Sequence, residues 1–241
     1  MNVRYIHLQQ TDSTNSYLRK LALEEDMTVV TADFQTAGRG QGANTWESEP
    51  GANLLMSVAV KPLFVPVREQ FLLSMAGALA VCDALASYTD GISLKWPNDI
   101  YWRDSKMSGT LIETSVAKGC LQRCIFGIGI DVNQVRFVGD APNPVSLRMV
   151  TGQCIPVQEV AERVVDSLQK RLSQLKEGEA KAIVGQYHER LYRREGFHPY
   201  RDSEGLFSAA ISEVATDGHL ILCDTEGRLR SYAFKEVAFV L

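Results

Sequence analysis

ISLKWPNDIYWRDSKMSGTLIETSVAKGCLQRCIFGIGIDVN, residues 92–133, decides the fold. Four β-prone runs stand in a row: Ile92–Trp96, Asp99–Trp102, Met107–Val116 and Leu121–Val132. Between them lie turn residues, Arg103-Asp104-Ser105 and Lys118-Gly119. Connections this short join antiparallel neighbours, because a parallel crossover needs a dozen residues or more. The stretch therefore predicts a run of antiparallel hairpins.

Upstream, Arg4–Leu8 reads as a short strand. Asp12-Ser13 offers an N-cap to a helix over Thr14–Glu25, with Tyr17, Leu18, Leu21 and Ala22 on one face. Strands follow at Thr28–Phe34 and Asn53–Lys61, then an Ala- and Leu-rich stretch, Val67–Ser87, that reads as a buried helix. Downstream, Val157, Val160, Ala161, Val164, Val165, Leu168, Leu172 and Leu175 recur at helical spacing and predict a helix over Pro156–Lys176. A further helix is expected over Glu179–Arg194. After Gly196 the texture changes to short runs, Leu206–Val214, His219–Cys223, Arg228–Phe234 and Glu236–Val240, with Asp217-Gly218 and Glu226-Gly227 as tight turns. The expectation is an α+β fold. Residues 1–194 form a mixed, largely antiparallel sheet with flanking helices, and 195–241 form a small β module that must dock on it to share a core.

Composition narrows the function classes. Apolar content of 45% and charged content of 22% suit a globular chain of 241 residues. No apolar run approaches a membrane span, and MNVRYIHLQQ has no signal-peptide pattern. The net charge of −4 and the lack of a basic tract argue against a nucleic-acid role. Five scattered cysteines read as reduced thiols of a cytoplasmic protein. Cys120 and Cys124 lack the second pair that a metal site would need.

P-loop, dinucleotide-fold, hydrolase-elbow and zincin signatures are absent. Three other segments stand out. Gly38-Arg39-Gly40-Gln41-Gly42 places a guanidinium among residues that let backbone N–H groups approach an anion. Alone it reads first as a flexible surface loop with a solvated arginine. Lys95-Trp96-Pro97-Asn98-Asp99, followed by Lys106 and Gly109, packs a cation, a ring and two polar groups into one turn. Alone it could be a strand end. Gly127 and Gly129 interrupt a strand, which often marks close approach of a ligand. Two cationic segments and a glycine-broken strand together favour a polyanionic ligand such as a nucleotide.

In these motifs the sequence resembles the biotin protein ligases. The matching residues are Ser13-Thr14-Asn15, Gln35-Thr36-Ala37-Gly38-Arg39-Gly40 with Trp46, Lys95–Asp99 with Lys106 and Gly109, and Gly127-Ile128-Gly129-Ile130. The resemblance spans about residues 10–135 and implies a class II synthetase-like catalytic domain, with an SH3-like β-barrel at the C-terminus. Some members carry an N-terminal helix-turn-helix; with the first motif at Ser13, none is expected here, so DNA is not an expected partner.

The resemblance also implies roles. Ser13, Thr14, Asn15 and Gln35 would bind the ureido ring of biotin. Gly38, Arg39, Gly40 and Gln41 would close over its carboxylate and the α-phosphate of ATP. Lys106 would contact both anions, with Gly109 leaving room for biotin. Trp46 would pack on adenine, and Lys95 and Asn98 would face the nucleotide. Asp99 would orient the acceptor lysine or take its proton. Asp131, where the family usually has Asn, would face phosphate or Mg²⁺. After Gly40 many relatives place a basic residue where this chain has Gln41 and Gly42, which predicts leakage of the intermediate. The implied reaction makes biotinyl-5′-AMP and passes biotin to a lysine of a biotin carboxyl carrier domain, in a monomer or homodimer. Lipoate or octanoyl transfer, and a non-enzymatic biotin or nucleotide sensor, are the competing readings.

Overall fold

The computed structural model describes residues 1–42, 44–139, 141 and 143–240; Ala43 of the glycine loop lies outside the described residues. The chain runs β1 (Val3–Thr11), α1 (Thr14–Lys20), β2 (Met27–Gln35), β3 (Leu54–Val60), α2 (Phe71–Leu85), β4 (Ile92–Lys95), β5 (Asp99–Trp102), β6 (Ser105–Ala117) and β7 (Cys120–Ile130). It continues with α3 (Leu147–Thr151), α4 (Val157–Lys176), α5 (Ala180–Glu189), β8 (His198–Asp202), β9 (Gly205–Val214), β10 (Leu220–Asp224), β11 (Leu229–Tyr232) and β12 (Ala238–Phe239).

Seven strands form one sheet in the order β1-β2-β3-β7-β6-β5-β4. Only β1 and β2 pair in parallel, and α1 supplies the crossover between them. The remaining pairs are antiparallel, as the short turns of residues 92–133 require.

Both faces of the central strands are covered, and side-chain alternation sorts their residues. Met56, Val58, Phe126, Ile128 and Ile130 join the large core under α2, α4 and α5. Ala59 and Ile125 join a smaller cluster with Leu18 and Leu23 under α1. Gly77 of α2 sits so close that an added Cβ would meet the Phe126 ring at 2.9 Å. β3 is buried along its whole length, and its single polar residue, Ser57, faces α1.

The second sheet is antiparallel, in the order β11-β10-β9-β8-β12. Its Tyr200, Val214, Leu220, Leu222, Tyr232 and Val237 belong to the same buried cluster as α2 and α4. That shared core answers the small size of this module. Docking is fixed by polar contacts too: Val214 N donates to His188 Nε2 at 2.8 Å, and Trp96 Nε1 donates to the Gly218 carbonyl at 3.0 Å.

Several boundaries differ from the sequence reading. α1 ends at Lys20, five residues early, and Leu21 is extended. Glu24, Glu25 and Asp26 follow, and carboxylates are unfavourable at a helix C-terminus. Ser13 occupies the N-cap without a side-chain capping bond. The stretch 67–87 opens with a 3₁₀ turn, Val67–Glu69, before α2. α5 stops at Glu189, because Arg190 O accepts from Leu94 N and Tyr192 N donates to Leu94 O, which sets Leu191 in a bridge with Leu94. Two elements were not foreseen. α3 has five residues, too few for a period, and β8, HPYRD, carries a proline that argues against a strand.

Candidate functional site

The face of the large sheet that carries α1 holds a cavity of about 770 Å³. Strand alternation builds its floor: Gly109 and Leu111 of β6, Gly127 and Gly129 of β7, and Leu55 of β3 all line it. Ser13, Thr14, Asn15, Gln35, Arg39, Gly40, Gln41, Trp46, Lys95, Asn98, Asp99, Lys106, Gly109 and Asp131 are brought together there. Gly38 alone among the expected residues is not on the cavity wall. It serves the loop instead. An added Cβ at Gly38 would meet the Trp46 carbonyl oxygen at 2.7 Å, while Trp46 N donates to Gly38 O and Gly40 N to Asn44 O. The loop is thus a narrow hairpin, bridged at Arg39 and Thr45, whose arms need a residue without a side chain.

At one end, the start of α1 meets β2, β3 and β6. Gln35 Oε1 accepts from Thr14 N (2.7 Å) and Thr14 Oγ1 (3.0 Å). Ser57 Oγ lies within hydrogen-bond reach of Thr14 Oγ1 (2.6 Å) and of Asn15 Oδ1. Asn15 Nδ2 donates to Glu113 Oε2 at 3.0 Å. Glu113 is held in turn by Arg19 at 2.6 Å, and Arg39 stands 3.8 Å from it. Ser13, Thr14, Asn15 and Ser57 are all buried, so this polar cluster is preorganised and costly to disturb.

At the other end, Lys106 Nζ pairs with Asp99 Oδ1 at 2.6 Å. The register explains it: Asp99 opposes Gly109 across β5 and β6, and a bulge at Ile100 and Tyr101 brings Lys106 back beside it. Asn98 does not face the cavity freely, since its amide donates to the Thr110 carbonyl. Lys95 Nζ stands 5.1 Å from the ring centroids of both Tyr101 and Phe239. Burial lowers its pKa, against the opposing pull of Asp99.

The glycines of β7 are explained by the chain's own side chains. An added Cβ at Gly127 would overlap Asn15 Oδ1, and one at Gly129 would lie 2.5 Å from the Trp46 ring. Gly109 and Gly129 are cross-strand partners and form a flat platform under that ring. Trp46 Nε1 is shielded from solvent with no hydrogen-bond partner among the described residues.

Asp131 is 5% exposed at the end of β7. Burial raises its pKa well above the ordinary carboxylate range, and Glu47 adds to the rise while Lys106 opposes it. The described residues hold no group of three or more metal-ligating side chains. Glu47, the other nearby carboxylate, already accepts from Gln134 Nε2 and from the backbone of Val138 and Gly139. A protein-built Mg²⁺ cage is therefore absent among the described residues. Asp131 would offer a Mg²⁺ at most one carboxylate oxygen, and the rest of its coordination would have to come from a ligand and water. The raised pKa also sets a stability prediction. Between the usual carboxylate pKa and the raised one, the folded chain binds a proton that the unfolded chain does not, so stability falls as pH rises. Asp131→Asn should raise the thermal midpoint at neutral pH, by about 2–4 °C per kcal/mol recovered. The gain should vanish near pH 4 or below. Thermal scans at both pH values check this.

Sequence reasoning missed Ser57, Glu113, Glu47 and the wall contributed by Phe234, Lys235 and Phe239. Ser57 had a signal, as the one polar residue in an apolar strand. The others depend on tertiary approach.

Residues 7–131 match the biotin/lipoate A/B protein ligase family. The biotin–[acetyl-CoA-carboxylase] ligase of Mycobacterium tuberculosis is 34% identical over 68% of this chain. The chain spans 62% of that relative's length. The ligase of the same name from Paracoccus denitrificans is 30% identical, over 70% of this chain and 72% of its own. The structure of the biotin protein ligase from Aquifex aeolicus in complex with biotin and ATP superimposes with a TM-score of 0.80 and 27% identity, covering 98% of this chain and 97% of the other. With over half of its length in the match, the chain belongs to the biotin/lipoate A/B protein ligase family.

Proposed function

We propose that this chain is an ATP-dependent biotin ligase, which makes biotinyl-5′-AMP and transfers biotin to a lysine of a biotin carboxyl carrier domain. The observation that carries the reading is the cavity itself: a buried polar cluster at the start of α1 lies at one end and the Asp99–Lys106 pair at the other. A ring without hydrogen-bonding atoms, such as a dithiolane, would gain nothing from the polar groups of Thr14, Asn15 and Ser57, whereas a ureido ring offers them a carbonyl and two N–H groups.

In the first half-reaction the biotin carboxylate forms a bond to the α-phosphorus, the α–β phosphoanhydride bond breaks, and pyrophosphate leaves. Both reactants are anionic, so Arg39 and Lys106 offset their repulsion as charge builds. Mg²⁺ bound to ATP would supply further charge neutralisation on the phosphates, with Asp131 as its protein ligand. In the second half-reaction the acceptor amine attacks the acyl carbon, the bond to AMP breaks, and AMP leaves. A lysine must first lose its proton, which costs about 4–5 kcal/mol at pH 7. Asp99 holds the ammonium in place and receives the proton. It is free to do so once the substrate anions draw Lys106 away.

Asp99→Asn should therefore leave adenylate formation near the parent rate and slow transfer by about tenfold. The loss should shrink as pH rises and more acceptor amine is neutral. Single-turnover transfer from preformed adenylate across a pH series measures this, and an unchanged profile would make Asp99 a turn residue only. The function as a whole is tested by pyrophosphate release with ATP and either biotin or lipoate, then by mass shift of a carrier domain. Release with lipoate alone overturns the biotin assignment, and release with neither overturns the ligase reading.

A further inference from the structure

Four cationic side chains line the cavity: Arg39, Lys95, Lys106 and Lys235. Three are engaged. Arg39 lies 3.8 Å from Glu113, Lys106 pairs with Asp99 at 2.6 Å, and Lys95 is enclosed by Tyr101 and Phe239. Lys235 is exposed, its Nζ 5.8 Å from the ring centroid of its neighbour Phe234, and it has no ion-pair partner among the described residues.

Its placement is specific. Lys235 belongs to the second sheet's last turn, where Glu236 N donates to Ala233 O and the Glu236 carboxylate accepts from Ala233 N at 2.7 Å. Lys235 itself adopts a left-handed backbone, φ +73°. That conformation is costly for a residue with a Cβ, and it aims the side chain across the cavity mouth. The turn is anchored by Phe234, whose ring meets Trp96 edge-on at 6.2 Å, while Trp96 is fixed by its bond to Gly218. The ammonium arrives at the tip of the glycine loop. It stands where a side chain at position 42 would begin, so that a Cβ on Gly42 would collide with Lys235 Nζ.

We propose that Lys235 is a nucleotide-binding residue, which meets the phosphate of the adenylate together with the glycine loop and supplies the charge that Gln41 and Gly42 lack. The inference rests on the adenylation reading above. One part of the chain gives the flexible backbone and another gives the cation, so closure of the loop on the ligand engages both sheets. The leakage expected from the loop sequence is then a property of Lys235 variants rather than of the parent.

The test is the release rate of biotinyl-5′-AMP from the full chain, followed by stopped-flow tryptophan fluorescence. Lys235→Gly suits the left-handed backbone and keeps the turn, so it removes the cation without straining the fold. It should release the adenylate roughly tenfold faster, the low end of the loss expected for one charge-assisted hydrogen bond, as suits an exposed lysine. Lys235→Arg should stay near the parent. Raised salt should speed release from the parent more than from Lys235→Gly. Binding of biotin without nucleotide should not change. Equal release rates in parent and Lys235→Gly overturn the proposal while leaving the ligase reading intact. An equal loss of biotin binding without nucleotide also overturns it, since Lys235 would then be structural. A parent that forms no adenylate from biotin and ATP sinks the ligase reading, and this inference with it.

Discussion

Lys106→Ala is expected to slow formation of biotinyl-5′-AMP by about 10²- to 10³-fold, the usual cost of one preorganised transition-state donor. Transfer from preformed adenylate should fall by less than about tenfold, because by then the anions are already joined. The geometry adds a reason for the size of the loss. Lys106 Nζ is 2.6 Å from Asp99 Oδ1, and both side chains are mostly shielded. Deleting the lysine leaves a carboxylate without its counter-charge beside the entering phosphates. The variant therefore loses an attraction and gains a repulsion. That second part can be isolated, since Asp99→Asn in the Lys106→Ala background should recover some adenylate formation. Rapid-quench measurement of both half-reactions in the two variants decides it. Equal loss in both half-reactions would remove Lys106 from the chemistry.

The pair also shows where sequence reading stops. The meander of residues 92–133 was legible because its turns are short and its strands are β-prone, and local rules govern both. Lys106 and Asp99 were legible as chemistry-bearing residues but not as partners. Their contact depends on a bulge in the β5–β6 register, which no side-chain pattern announces. Glu113 sits in an ordinary alternating strand and gains meaning only when Arg19, Arg39 and Asn15 converge on it from elsewhere. Lys235 lies some 200 residues from the loop it meets. Helix ends were read too long because apolar spacing continued past them, at α1 into an acidic run that disfavours a helix C-terminus and at α5 into residues bonded to Leu94. The glycines at 127 and 129 were read as marks of close approach. The approach is real, but the chain's own Asn15 and Trp46 make it.

Gly127 carries the second large prediction. It lies mid-strand in β7, paired with Ser57 on one side and Leu111 on the other, and its backbone is not left-handed. A side chain there strains no dihedral. It strikes Asn15 instead, whose amide a Cβ would overlap. Asn15 is 3% exposed and bonded to Ser57 and Glu113, so it can move aside only by giving up those bonds. Gly127→Val should push it out and strand at least two buried polar groups, each costing about 1–3 kcal/mol. If this cluster receives the ureido ring, biotin affinity should fall about 100-fold while ATP affinity holds. The cations Lys106 and Lys235, proposed above to meet the phosphates, stand on other residues than this cluster. Gly185→Ala is the matched control, because a Cβ on that helical glycine meets nothing within 4 Å. It should leave biotin binding unchanged and stabilise the fold by up to about 1 kcal/mol. Calorimetric titration of each variant with biotin and with ATP separates the outcomes. Parallel loss of both ligands would mean that the sheet, rather than the α1 cluster, had been damaged, and biotin binding at parental strength would place the ureido ring elsewhere in the cavity.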